Sequence, residues 1–267
     1  MAAPATPPVA VPRPAGGDII IRRFEPRDTA QLYALLDEGF VYGPESPANT
    51  ALRRHLTSPM SLGLYSAFSL GLIGVYRPEP VAQLGGLALC AATAALFAYM
   101  RRAIPRVFLA FCDVARTTDL ADIRAHYTAP GAFWVAAIDS PDGKASEVVG
   151  CLGLDPRANA DPTSAELRRM VVSPRHRRRR LGTLLMTAAL AHAQRASPPL
   201  RTLDLETSVF QPGARKLYEN HGFSVVECRI GRWHPLFWVH ILRFRRNVGR
   251  DSECLNGADL SVAGAES

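Results

Sequence analysis

Two stretches of the chain carry no charge, and they interrupt an otherwise regular succession of strand-like and helix-like patterns. Residues 56–76 contain no Asp, Glu, Lys or Arg, and neither do residues 81–100. Each approaches the ~20 mostly apolar residues that a helix needs to span a bilayer core. The second is the more apolar, since Gly63, Gly71, Gly74 and several serines dilute the first. Arg77-Pro78-Glu79-Pro80 is a short, proline-rich link, so a helical hairpin is expected over residues 56–100. Arg53, Arg54, Arg101, Arg102 and Arg106 flank it, and the positive-inside rule then puts both ends in the cytosol. The competing reading is a pair of buried core helices, but ordinary globular helices rarely lack a polar face over such a length.

Elsewhere, short apolar runs predict strands and a 3.6-residue spacing predicts helices. Ile19, Ile20 and Ile21 mark a first strand over residues 18–24. Asp28, with Gln31 three residues on, gives a capping-box start, and Leu32, Leu35 and Leu36 supply that helix with a buried face. After the hairpin, Thr118 precedes a short helix with Leu120, Ile123 and Tyr127 on one face. Residues 131–138 and 147–154 read as paired strands, joined by a turn over 139–144 that contains Pro141 and Gly143. A polar loop follows over 157–164. Residues 200–207 alternate Leu203 and Leu205 with Asp204 and Glu206, a further strand. Pro212 opens a helix at its first position and Gly222 closes it. Residues 223–230 and 236–244 make a last antiparallel pair. The Ala- and Pro-rich residues 1–17 lack the apolar core of a signal peptide, and residues 247–267 are polar; both are expected to be disordered tails around one domain over 18–246.

The two periodicities meet in residues 166–183. Leu167, Met170, Val171 and Val172 are strand formers, and Pro174 ends the strand because it cannot donate to a ladder. From Leu181 the period changes, with Leu181, Leu184, Leu185 and Ala188 on one helical face running to about Arg195. Between lie Arg175, Arg177, Arg178, Arg179 and Arg180. A strand that enters a helix through a basic turn is an anion site by construction. The first N–H groups of the helix are unpaired, the dipole adds partial positive charge, and a pyrophosphate fits there. Gly182 leaves room for close backbone approach, and the arginines offer forked donors to phosphate oxygens.

Composition sharpens this picture at two points. The 267 residues suit one domain with appendages, and nearly all of the net charge of +7 can be assigned to the Arg-rich turn, so a nucleotide or lipid headgroups are the expected anions. A bare basic run binding nucleic acid is the alternative, but it predicts neither the strand before the turn nor the amphipathic helix after it. The five cysteines are scattered, with no Cys-x-x-Cys or Cys/His ligand spacing. No zinc, other metal or disulfide framework is therefore expected, and the thiols are read as reduced.

At these residues a resemblance enters. Arg177-Arg178-Arg179-Arg180-Leu181-Gly182 resembles the acetyl-CoA loop of the GCN5-related N-acetyltransferases, Arg/Gln-x-x-Gly-x-Gly/Ala, except that Arg180 stands where the pattern has its middle glycine. With Arg180 at ordinary negative φ the backbone donors would remain in place. Lys216-Leu217-Tyr218-Glu219-Asn220-His221-Gly222-Phe223 is similar to a helix of that family, and residues 203–207 to the strand before it. Asp119-Leu120-Ala121-Asp122-Ile123, residues 133–136 and the apolar insertion resemble the camello-like, membrane-anchored group, which includes enzymes that acetylate aspartate and cysteine S-conjugates. The resemblance implies an α/β (α+β) fold: a mixed, mostly antiparallel sheet flanked by helices, with the apolar hairpin inserted. It implies acetyl-CoA as donor, a small-molecule or protein amine as acceptor, and the endoplasmic reticulum membrane with the sheet domain facing the cytosol. It also implies that Met170, Val171, Val172, Arg177, Arg178, Arg179, Arg180, Leu181, Gly182 and Thr183 hold the donor.

Acetyl transfer to an amine needs a base, a polarised thioester carbonyl and a proton for the departing thiolate. Glu166 stands where some relatives carry a base glutamate; it reads equally as an exposed strand-end carboxylate paired with an arginine. Backbone N–H groups of Met170 to Val172 would face the thioester oxygen if the strand bulges there. Tyr218 matches the tyrosine that relatives use to protonate coenzyme A, against the alternative of a packed tyrosine with a satisfied hydroxyl. Glu206 and Thr207 lie near the strand end where an acceptor would enter. The rival to an enzyme is a non-catalytic membrane or adaptor protein that has lost donor binding through Arg180.

Overall fold

Alternate residues along the strands part into two apolar layers, and this decides the architecture. A computed structural model describes residues 9–10, 19–139, 146–158, 161–234 and 237–248. The strands are β1 (Val9–Ala10), β2 (Ile19–Arg23), β3 (Ala132–Asp139), β4 (Ser146–Asp155), β5 (Ser164–Val172), β6 (Thr202–Ser208), β7 (Ser224–His234) and β8 (Phe237–Asn247). They form one sheet in the order β1-β2-β3-β4-β5-β6-β8-β7. Every pairing is antiparallel except β5 with β6. On β3, Trp134 and Ala136 enter one layer, while Phe133 and Val135 enter the other. This is the period of two expected of a strand buried on both faces.

Helices α6 (Leu181–Gln194) and α7 (Pro212–Asn220) cover the first face; α1 (Thr29–Asp37), α2 (Pro47–Leu56) and the last part of α4 (Pro80–Thr117) cover the second. A short α5 (Ile123–His126) leads into β3, and Leu120, Ile123 and Tyr127 are buried as their spacing predicts. The buried face of α6 is Leu181, Leu185, Met186, Ala189 and Ala193, rotated slightly from the expected stripe, with Leu184 and Ala188 half-buried. Gly222 ends α7 at φ +76°, a conformation that suits glycine.

Two local expectations are corrected, and one helix is added. The capping contact lies one turn earlier than expected. Asp28 accepts from the Glu25 backbone N–H at 2.9 Å and from both Arg22 Nη atoms at 2.7 and 2.8 Å. Gln31 instead bridges to β4, accepting from Val148 N at 2.8 Å and donating to Ser146 O at 3.0 Å. The second apolar run does not stop at Met100. α4 is 38 residues long in all, about 57 Å at 1.5 Å per residue, because Ile104, Phe108, Cys112 and Ala115 extend an apolar stripe into the core at helical spacing. Helix α2 was not foreseen, although Ser46 before Pro47 is a helix-start signal and its hydroxyl accepts from Asn49 N at 3.1 Å.

The two apolar runs do pair as helices. α3 (Pro59–Val75) lies antiparallel to the first part of α4, with Tyr65 against Phe97 and Gly71 against Gly86. A Cβ on Gly86 would sit 2.5 Å from the Gly71 carbonyl oxygen, so the backbones approach as helices do when small residues line their contact. Leu62, Leu70, Ile73, Val81, Leu84 and Leu87 are exposed on its outer surface. Among the described residues one helix, Pro80–Thr117, is long and apolar enough to cross a membrane; α3 has 17 residues. Cys90, Cys112, Cys151 and Cys228 are free thiols, two of them buried. Of the expected tails, Val9–Ala10 pairs with β2 and Asn247 completes β8; residues 1–8, 11–17 and 249–267 lie outside the described residues, as do 140–145 of the β3–β4 turn.

Candidate functional site

The sheet comes apart along one seam. β5 and β6 pair from Ser164 with Thr202 to Leu167 with Leu205, and no further. Beyond that point β5 keeps only β4. Against β4 it carries a bulge, because Cys151 pairs with Val171 and Gly153 with Arg168, leaving Arg169 and Met170 opposite Leu152 alone. Arg169 is left-handed there, at φ +56°. The bulge exchanges the faces of the strand: Ala165 and Leu167 enter the α6 layer, whereas Val171 enters the α4 layer. The bulge on which the expected oxyanion contact depends is therefore present.

A cavity of about 740 Å³ opens on one side of the seam. Its wall takes nine of the ten residues expected to hold acetyl-CoA: Met170, Val171, Val172, Arg177, Arg178, Arg180, Leu181, Gly182 and Thr183. Arg179 is exposed and off this wall. The N–H groups of Leu181, Gly182 and Thr183 precede the first α6 ladder bond, Leu184 N to Arg180 O at 3.0 Å, so the turn presents free donors. Arg178 and Arg180 are left-handed, at φ +64° and +58°, which corrects the expected negative φ at Arg180. Arg180 is the residue before α6, and it takes there the left-handed conformation for which glycine is the default. Arg175 faces Glu38 and Glu147 at 3.4 and 3.7 Å, and Arg177 bonds Glu45 at 2.7 Å. Arg178, Arg179 and Arg180 have no ion pair among the described residues. The close approach at Gly182 is partly internal, since a Cβ there would lie 3.0 Å from Leu217 Cδ2 on α7.

A second cavity of about 450 Å³ lies on the other side, lined by Glu166, Arg168, Arg169, Glu206, Arg229 and the rings of Phe108 and Phe111. The two cavities share Phe40, Met170, Gln211 and Tyr218. Tyr218 is buried, with its ring edge-on to Phe223 and Phe244. Its hydroxyl has no hydrogen-bond partner among the described residues, and burial raises its pKa. Glu166 is the third residue of β5, with a side chain 22% exposed and Arg168 Nε at 3.9 Å. Burial raises its pKa; Arg168 opposes this and Glu206 adds to it. Glu206 bonds Arg229 at 2.6 Å, and Arg168 bonds the buried Asp155 at 3.0 Å. Sequence reasoning missed Phe40, Phe108, Phe111, Gln211 and Arg229 here, and Thr50 and Arg53 in the first cavity. Only the Phe108–Phe111 face was recoverable, from the stripe on α4.

Comparison with known proteins fits this geometry. Residues 98–223 match the model of the Acetyltransferase (GNAT) family. The chain carries an acetyltransferase domain of this family. It is 30% identical to N-acetylaspartate synthetase of Rattus norvegicus over 216 residues, 79% of this chain and 64% of that protein. The alignment thus spans less than two thirds of that relative's length. It is 27% identical over 229 residues to a Xenopus tropicalis protein named "Probable N-acetyltransferase 14", covering 85% of this chain and 95% of the relative. A GNAT-family acetyltransferase from Staphylococcus aureus Mu50 shares the fold at a TM-score of 0.50 and 15% identity, over 86% of this chain and 99% of the other. The acetyltransferase domain therefore has the mixed, mostly antiparallel sheet flanked by helices, with the long apolar helix Pro80–Thr117 inserted.

Proposed function

We propose that the protein is a membrane-associated N-acetyltransferase that moves an acetyl group from acetyl-CoA to an amine by direct attack in a ternary complex. The observation that carries this reading is the meeting of two cavities at Tyr218 and the β5 bulge, one with a cationic, donor-rich mouth and the other lined by carboxylates and guanidinium groups together. The first suits a nucleotide diphosphate at the turn, with unpaired Arg178 and Arg180 and the free N–H groups of α6 to receive phosphate, and a narrow arm running past Met170 and Leu217. The acceptor occupies the second. Glu166, held less acidic by burial, takes the ammonium proton directly or through water, and the neutral amine attacks the thioester carbonyl. Backbone N–H groups at the bulge receive the developing oxyanion. Collapse forms the amide and breaks the C–S bond, and Tyr218 supplies a proton to the thiolate. Its raised pKa keeps it protonated until charge develops beside it.

An amino acid, an amino-acid conjugate or a protein lysine would each present such an amine. The relatives named N-acetylaspartate synthetase favour a small amino acid, and the alternating Glu206–Arg229 and Glu166–Arg168 charges suit a zwitterion. The test is isothermal titration of the full chain with acetyl-CoA, followed by an acceptor screen that detects released thiol. Micromolar binding with acceptor-dependent release supports the enzyme. Absence of binding by a folded chain supports a non-catalytic adaptor, and steeply salt-dependent binding of DNA or RNA would turn the reading towards nucleic acid.

The hairpin is proposed to lie in the membrane, with the acetyltransferase domain and both hairpin ends in the cytosol at the endoplasmic reticulum. Its exposed apolar surface and the five arginines at its base support this. Carbonate washing should leave the protein in the membrane fraction. Tags at both termini should be cleaved by protease in sealed microsomes; protection of the C-terminal tag alone would mean a single crossing.

A further inference from the structure

Arg169 occupies a conformation it does not favour, in a place where it matters. A bulge with a left-handed residue commonly has glycine there, and a residue with a side chain at positive φ needs a surrounding structure that imposes it. Arg169 is such a residue, at φ +56°, 9% exposed, directly before Met170, which lines both cavities.

What holds it is Asp119, a carboxylate 1% exposed, two residues beyond the end of α4. Arg169 Nε donates to its two oxygens at 2.9 and 3.2 Å, and Nη2 donates at 2.6 Å. Tyr127 Oη donates to the same carboxylate at 2.6 Å. Phe111 lies under the guanidinium, with its ring centroid 5.1 Å away, and Cys151 Sγ donates to the Arg169 carbonyl at 3.0 Å. Gly153 leaves the room that Tyr127 needs, because a Cβ there would lie 2.7 Å from the tyrosine ring. Burial alone would raise the Asp119 pKa, but bonds from Arg169 and Tyr127 hold it well below the usual carboxylate range, so the clamp stays charged.

We propose that Asp119 is a positioning residue: by gripping Arg169 it holds the β5 bulge that turns the Met170 backbone toward the donor thioester. This rests on the acetyltransferase reading above. Replacing the pair with apolar residues keeps the interior filled without stranding a buried charge. In that background the residue at 169 alone decides whether the left-handed turn persists. Leucine disfavours it and glycine accepts it.

The test compares Asp119→Leu/Arg169→Leu with Asp119→Leu/Arg169→Gly, both in the full chain in detergent. The leucine pair should keep its acetyl-CoA Kd within about threefold while kcat falls about 100-fold, as expected of a misplaced reacting group. The glycine pair should recover about tenfold of that loss, although it leaves a larger void. A purely structural clamp predicts the reverse order. Wild-type kcat in the leucine pair, or a glycine pair no better than the leucine pair, overturns the proposal. If the leucine pair does not fold, Tyr127→Phe loosens Asp119 without unpairing Arg169 and should lower kcat at unchanged Kd; an unchanged kcat overturns it. Amide hydrogen exchange over residues 168–172 separates this proposal from the activity it rests on. Exchange there should quicken in the leucine pair and slow again in the glycine pair even if no acceptor is ever acetylated, and equal exchange in all three chains overturns the clamp.

Discussion

The two cavities that meet at Tyr218 are made in opposite ways. The first draws the largest share of its wall from one segment, residues 170–183, and its guanidinium groups at Arg178 and Arg180 have no ion pair among the described residues. The second draws on separate segments, from Phe40 to Ile241, and most of its charges are neutralised pairwise, Glu206 by Arg229, Arg168 by Asp155 and Arg169 by Asp119, while Glu166 is left with a longer 3.9 Å contact to Arg168. A wall of free cations and free N–H groups waits for an anion. A wall of mutually satisfied charges selects by shape and by exchange of partners, because an incoming group must match the hydrogen bonds that it displaces. On the proposed reading, donor recognition is a matter of charge, and acceptor recognition a matter of fit.

The largest effect is expected at the boundary. Tyr218 belongs to both cavities, and Tyr218→Phe removes only a hydroxyl with no partner among the described residues. If that hydroxyl protonates the thiolate, kcat falls by about 100-fold or more while acetyl-CoA affinity stays within about threefold. Single-turnover kinetics with calorimetric Kd values measure this, and full kcat with chemistry limiting would leave Tyr218 a packing residue.

Next comes Glu166, on the acceptor side. Burial raises its pKa, so the carboxylate loses its negative charge at a higher pH than an ordinary glutamate as pH falls. If Glu166 is the base, it works only when ionised, so kcat/KM should fall tenfold per unit below that pKa and level off above it. Glu166→Gln should abolish this acid limb and lower the plateau by about 10–100-fold. A limb that survives in the variant would belong to another group.

On the donor side, Gly182→Glu should raise KM for acetyl-CoA by about tenfold or more, through bulk and repulsion of phosphate. Gly182→Ala adds the same Cβ beside Leu217 without the charge, so it reports the packing cost alone. Equal KM in the two variants would move the phosphate site away from residue 182.

These predictions fall unevenly on what the sequence revealed. The wall of the first cavity was legible because strand, turn and helix follow one another, so residue type and spacing already fix which backbone groups converge. Resemblance singled out Tyr218 and Glu166, and both line the second cavity. The rest of that wall was not legible, because Phe40, Phe108 and Arg229 are brought together by tertiary packing and carry no mutual spacing. The length of α4 was misjudged because Arg101 and Arg102 look like a terminus, although the apolar stripe continues beyond them at Ile104 and Phe108. The clamp escaped notice for a related reason: Asp119 and Arg169 lie fifty positions apart in sequence, and nothing local to either marks the ion pair.

The smallest expected effect tests the departure at Arg180. The residue before α6 is left-handed, and here it is arginine, at φ +58°. A side chain in that conformation costs about 1–2 kcal/mol, part of which glycine gives back through its greater freedom in the unfolded chain. Arg180→Gly should therefore stabilise the folded protein by about 0.5–1 kcal/mol, a rise of about 1–4 °C in unfolding temperature for a domain of this size. The same change removes one of the unpaired guanidinium groups at the mouth of the donor cavity. Because the N–H groups of Leu181, Gly182 and Thr183 and the guanidinium of Arg178 remain, acetyl-CoA Kd should rise by no more than about threefold, and the salt dependence of binding should weaken. Differential scanning fluorimetry and calorimetry at two ionic strengths read both quantities. A tenfold loss of affinity with no gain in stability would mean that the Arg180 side chain itself grips phosphate, and that the charge of the donor wall outweighs its backbone.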